Sequence, residues 1–135
     1  MVKTEVVYQG GFHCELTHGP SQNKIETDAP KDNMGKGERF SPTDLVGAAL
    51  ASCALTTMAI VAERDGIPFE GANASVEKNM TDKPRRIGSL VMVLNLPKSL
   101  TPDQRRKLEE TAKHCPVHRS LHPEVQLPMT FKYVL

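Results

Sequence analysis

Apolar and polar residues alternate with a period of two over several short stretches in the first third of the chain, as on strands with one buried face. Val2 to Tyr8 is rich in β-branched residues, and Gly10-Gly11 marks a turn after it. Phe12, Cys14 and Leu16 then alternate with His13, Glu15 and Thr17. His18-Gly19-Pro20-Ser21 turns again, and Gln22 to Thr27 forms a third candidate strand. Asp28 to Arg39 contains Pro30, Asn33, Gly35 and Gly37 and reads as a loop. The period changes at Ser41. Ser41 can cap a helix, Pro42 suits its first position, and Asp44 faces the positive end of the dipole. The predicted helix runs to about Asp65, where Gly66 and Ile67-Pro68 end it.

From Leu45 to Ala62 this helix carries no charge. Its length is marginal for a membrane span, which needs about 20 apolar residues. Gly, Ala, Ser and Thr fill half of it, and Asp44 and Glu63-Arg64-Asp65 flank it closely. The pattern predicts the buried centre of a small fold, with Gly47, Ala48, Ala51, Ser52 and Ala54 letting other backbones approach. A strand pair follows, from Gly71 to Met80 and from Ile87 to Leu96, joined through Thr81-Asp82-Lys83-Pro84 as a hairpin. The second of these is apolar on nearly both faces. Thr101-Pro102-Asp103-Gln104 starts another helix, which reaches about His114. Pro116 to Leu121 reads as a short helix with Cys115 at its cap, and Val125 to Val134 alternates as a closing strand. Pro128 puts that strand at an edge or a bulge. The grouping of strands predicts one α+β domain over residues 1–135 with antiparallel pairing.

Composition narrows the function. The 135 residues are 39% hydrophobic and 24% charged, with no Trp, so the core is built from Val, Leu, Ile, Ala and Met. A chain this size buries only about two-thirds of its unfolded surface, which favours an oligomer. Seventeen basic residues face 16 acidic ones, for a net charge of +1. Lys83-Pro84-Arg85-Arg86 and Arg105-Arg106-Lys107 are short and lack interleaved aromatics. Neither a nucleic-acid nor a membrane partner is expected. The start of the chain has no basic-then-apolar leader, so a cytoplasmic location is expected.

Three cysteines, Cys14, Cys53 and Cys115, do not make a disulfide framework for a reducing compartment. Cys14 alternates with Phe12 and Leu16 and is expected in a core. Cys53 lies inside an apolar helix and reads either as packed filling or as a thiol kept for its chemistry. Cys115 precedes proline, which disfavours helical geometry there. If Pro116 starts a helix, the sulfur faces free N–H groups at a positive dipole end, which favours thiolate. His114, His118 and Arg119 either add to this or point to solvent. The groupings around His13-Cys14 and His114-Cys115 lack zinc spacing, and no metal or other cofactor is expected.

Gly37-Glu38-Arg39-Phe40-Ser41-Pro42-Thr43-Asp44-Leu45-Val46, leading to Ala51-Ser52-Cys53, together with His114-Cys115-Pro116-Val117-His118-Arg119-Ser120-Leu121, resembles the OsmC/Ohr family of peroxide-handling proteins. The element order matches over the whole chain. The resemblance implies an intertwined homodimer in which antiparallel sheets wrap long, buried central helices. It implies a thiol peroxidase in which Cys53 attacks an organic hydroperoxide and becomes a sulfenic acid. Cys115 then closes a disulfide, and an external dithiol or a lipoyl-bearing protein restores both thiols. An apolar pocket at the dimer interface would be lined by Phe40, Leu50 and Met58.

The chain departs from hydroperoxide-reductase members at two positions. They carry a Glu just after the helix-starting proline and an Arg near the Gly-Gly turn on the second strand, forming an ion pair that activates the thiolate. Here those places hold Thr43 and His13 or Phe12. Asp44 is one residue later, about 100° around the helix. Glu38 and Arg39, just upstream, are candidates for the missing carboxylate and guanidinium. The pattern is closer to a less characterised branch. A second expectation is therefore a binding module on the same fold, holding a small apolar or thiol-reactive ligand at the dimer interface.

Overall fold

A computed structural model describes residues 1–135, which form two compact units, Met1–Val46 and Gly47–Leu135. In the first, β1 (Thr4–Tyr8), β2 (His13–His18) and β3 (Lys24–Asp28) make an antiparallel sheet in that order. The β1–β2 turn needs left-handed backbone at three successive residues, with φ of 85° at Gly10, 60° at Gly11 and 59° at Phe12. Two glycines supply most of that at no steric cost. The turn sets the register that places Tyr8 opposite Cys14, and the next turn places His13 opposite Asp28. All of β1 is exposed, Val6, Val7 and Tyr8 included. Cys14, expected in a core, is only half-buried, because this sheet has no covered apolar face of its own. After a 3-10 turn at Lys31–Asn33, the chain passes so close to itself at Gly35 that a Cβ there would lie 1.6 Å from the Ala29 carbonyl oxygen.

The long helix α1 (Pro42–Asp65) starts as its sequence predicts. The Ser41 N–H donates to Asp44 Oδ2 at 2.9 Å, and the Asp44 N–H donates back to Ser41 Oγ at 3.1 Å. Two of the helix's otherwise unpaired N-terminal donors are thereby satisfied. It ends at Gly66, whose φ of 65° suits glycine, with the Ile67 N–H donating to the Ala62 carbonyl. The helix is long and apolar enough to cross a membrane by length and composition, with a third of its most apolar window buried inside the chain.

In the second unit, β4 (Asn73–Asp82) and β5 (Arg85–Leu96) form the predicted hairpin. Leu90, Met92, Leu94 and Leu96 on β5 are completely buried. They alternate with half-buried positions, so β5 has one fully covered face rather than two. The buried stripe of α1 is Gly47, Leu50, Ala51, Ala54, Met58 and Ala62. A Cβ on Gly47 would lie 3.3 Å from a Leu90 methyl and 3.6 Å from Val76, so the helix backbone rests almost directly on the sheet. Helix α1 is not buried all round in the single chain, since one sheet covers one side and Ile60 stays 63% exposed.

Helix α2 (Pro102–Ala112) carries a complete capping box between Thr101 and Gln104, and α3 (Pro116–Ser120) follows it. The closing strand β6 (Met129–Tyr133) lies at the sheet edge, as Pro128 implies, but it pairs parallel to β5. The expected all-antiparallel pairing fails here because α2 and α3 form a crossover, which returns the chain running in the same direction. Tyr133 ties β6 to α2: its hydroxyl donates to Glu109 at 2.8 Å and the Arg105 guanidinium sits 4.0 Å over its ring.

Because Leu94 is fully enclosed, Leu94→Ala is expected to lower unfolding free energy by about 3 kcal/mol, read from the midpoint of urea denaturation.

Candidate active site

Cys53 sits on the fourth turn of α1, half-buried, with its sulfur 4.0 Å from the Thr57 hydroxyl one turn later. That hydroxyl donates to the Cys53 carbonyl at 2.7 Å, the i to i+4 geometry a helix imposes on threonine. Cys115 is the N-cap of α3, with extended backbone forced by Pro116. Its sulfur accepts a hydrogen bond from the His118 N–H at 3.4 Å and is entirely shielded from solvent. The two thiols are neighbours, with Cys53 near enough to act on the Cys115 thiol. Both are free.

The N–H groups at the start of α3 pull the Cys115 pKa down, as the sequence led one to expect, but the net shift is upward. Burial pushes that thiol up and outweighs the backbone N–H groups of His118 and Val117, and the nearby Cys53 adds to the rise. Removing a thiolate from water costs more than the first turn of a five-residue helix returns. His114 does not face the sulfur, since its Nδ1 is bonded to the Glu110 carbonyl. No cluster of three His, Cys, Asp or Glu side chains is suited to hold a metal ion.

Glu38 and Arg39 belong to the first unit, on the loop before α1. The Arg39 Nε donates to Glu26 Oε2 at 3.1 Å, and its Nη1 donates to the Glu38 carbonyl at 3.1 Å. Glu26 shares its other oxygen with His13 Nε2 at 3.2 Å, while His13 Nδ1 meets Asp28 Oδ1 at 2.5 Å. The Glu38 N–H closes the network on Asp28 Oδ2 at 3.1 Å. The residues surround a cavity of about 140 Å³ lined by Gly10, Gly11, His13, Asp28, Lys36, Glu38 and Arg39. Asp28 raises the His13 pKa most, then Glu26. The Asp28 carboxyl is held down chiefly by His13, and that of Glu26 by Arg39 first and His13 second.

The predicted site residues therefore fall in two groups, Cys53 with Cys115 in one unit and Glu38 with Arg39 in the other. Asp44, weighed as a substitute carboxylate, is committed to the start of its own helix. Of the predicted pocket residues, Leu50 and Met58 are completely buried and so are core in the single chain, because they lie on the sheet-facing stripe of α1; Phe40 is exposed. Glu26, Asp28 and Thr57 escaped the sequence reading. The signal for the two acids is present in the sequence: they sit at i and i+2 on β3, on the face that the short β2–β3 turn sets against His13.

The profile of the OsmC-like protein family matches residues 35–129. No curated protein matches the sequence. Among solved structures, an osmotic stress induced and detoxification response protein from Psychrobacter arcticus 273-4 is 39% identical, with a TM-score of 0.92 over 97% of this chain and 96% of its own. An organic hydroperoxide resistance protein, OsmC, from Legionella pneumophila is 19% identical, with a TM-score of 0.75 over 98% and 96%. The organic hydroperoxide resistance protein OhrB of Bacillus subtilis is 20% identical, with a TM-score of 0.70 over 98% of both chains. At those identities the last two establish the fold.

Burial and the upward pKa shift make Cys115 the slower of the two thiols. Brief iodoacetamide treatment at neutral pH followed by peptide mass mapping is expected to find Cys53 labelled well before Cys115, with the difference abolished in denaturant.

Proposed function

The chain belongs to the OsmC-like protein family, and on that premise we propose that it is a cysteine-based thiol peroxidase that reduces organic hydroperoxides in stress defence. The nearness of Cys53 to Cys115, brought together from different helices, is the observation that carries this reading. Cys53 attacks the O–O bond as thiolate, the alcohol departs with a proton, and the sulfur becomes a sulfenic acid. Cys115 then attacks that sulfur. The S–S bond forms, and hydroxide leaves with the Cys115 proton as water. Two exchanges with an external dithiol, free or as a lipoyl group on a protein, return both thiols.

Burial suits Cys115 to its part. As a protonated thiol it is a poor nucleophile toward peroxide, so oxidation starts at the more accessible sulfur. Arg39 is the cation assigned to favour the Cys53 thiolate, with Glu26 and the Glu38 carbonyl fixing its guanidinium. Exposed Phe40 offers apolar surface for the organic part of a substrate. We assign residues 1–135 to one functional domain in a cytoplasmic homodimer. The uncovered side of α1, with Ile60 exposed, and the bare apolar residues of β1 support pairing with a second copy.

Cys53→Ser is expected to abolish turnover of tert-butyl hydroperoxide. Cys115→Ser is expected to consume one equivalent and stop at a sulfenic acid that dimedone traps; full turnover in either variant contradicts the mechanism. Sedimentation equilibrium is expected to give twice the 14.9 kDa chain mass.

A further inference from the structure

The His13 ring is bonded on both nitrogens to groups that can only accept. Nδ1 meets Asp28 Oδ1 at 2.5 Å and Nε2 meets Glu26 Oε1 at 3.2 Å. A neutral imidazole has one donor and one acceptor, so it satisfies one carboxylate and turns a lone pair toward the other. Only the imidazolium donates to both. Glu26 in turn gives its second oxygen to the Arg39 guanidinium. The charges alternate along one chain of contacts: Asp28, His13, Glu26, Arg39.

We propose that His13 is a positioning residue: held as an imidazolium between Asp28 and Glu26, it fixes the carboxylate that orients the Arg39 guanidinium. When the ring loses its proton, the shorter contact to Asp28 keeps the remaining N–H, and Glu26 faces a lone pair. Glu26 is then free to turn, and the Arg39 side chain loses its fixed anchor. Other charged groups near the ring come from the loop. Glu38 bonds Asp28 through its backbone, Arg39 bonds Glu26, and Lys36 lines the same cavity. The turn residues Gly10 and Gly11 contribute none.

The pH window follows from the direction of the shifts. The His13 pKa is raised above its ordinary 6.5, so the clamp is complete below that value and is lost as pH climbs through the higher folded value. Asp28 and Glu26 are held below their ordinary 3.8 and 4.5, so both stay ionised down through mildly acidic pH. The effect on rate rests on the reading of Arg39 as the activating cation; the clamp itself does not.

The test compares the wild type with His13→Gln, His13→Arg and Arg39→Met. The rate of Cys53 oxidation by tert-butyl hydroperoxide is measured from pH 5.5 to 9. His13→Gln is expected to be about tenfold slower than wild type at pH 6, as for loss of one hydrogen bond to a charged group, with the ratio approaching one by pH 9. His13→Arg, a cation at every pH, is expected to keep the faster rate without the alkaline step. Hydrogen exchange of the Arg39 Nε–H, which donates to Glu26, followed by NMR, reads the clamp without activity, and its protection relative to His13→Arg is expected to fall over the same pH range. A wild-type to His13→Gln ratio that does not change with pH, together with pH-independent relative protection, overturns the proposal even if Arg39→Met is slow. An Arg39→Met variant as fast as wild type at pH 6 overturns instead the role of Arg39 in the peroxidase reading, and the exchange data then stand alone for the clamp.

Discussion

A sheet face of leucine and methionine meeting a stripe of small residues on one helix is the contact on which the second unit depends. Leu90, Met92, Leu94 and Leu96 are wholly enclosed on β5, and each fully buried side chain of this kind contributes about 1.5–3 kcal/mol. At Gly47 that packing is close, since a Cβ there would lie 3.3 Å from the Leu90 methyl. The helix is thereby fixed in rotation. Met58 and Ala54 point into the core, and Cys53, next along the chain from Ala54, is left at its margin, half-buried. The position of Cys53 depends on that rotation.

The second requirement is a turn. Pro116 keeps Cys115 extended and starts α3, so the sulfur is turned inward at the cap rather than outward on a helix face. Burial then makes Cys115 a reluctant acid while its partner stays accessible. In the proposed mechanism this asymmetry orders the chemistry: one sulfur meets the peroxide, and the other acts when a sulfenic acid has formed beside it. The ion network around His13 is built on the same logic of limited exposure, with the Asp28 side chain almost shut off from water and satisfied from two sides.

Much of this was legible in the residues. The start and end of α1, the β4–β5 hairpin and the capping box of α2 are local events, written in Ser41-Pro42, Gly66, Thr101 and Gln104. The two cysteine motifs pointed to the family that the profile match and the 39% identical structure establish. The failures were non-local. The parallel direction of β6 depends on where the α2–α3 crossover delivers the chain, which alternation alone does not encode. The burial of Cys115 depends on what lies over it, and so a rise replaced the expected fall in its pKa. Glu26 and Asp28 were ordinary strand acids until the register put His13 opposite Asp28 and on the same face as Glu26.

The central claim is that Cys53 and Cys115 are a redox pair driven by an organic hydroperoxide. Reduced protein mixed with one equivalent of tert-butyl hydroperoxide, quenched and digested, reports this directly through peptide mass. The account predicts a Cys53–Cys115 disulfide within seconds, formed faster than with hydrogen peroxide. Both thiols still free after minutes would contradict it.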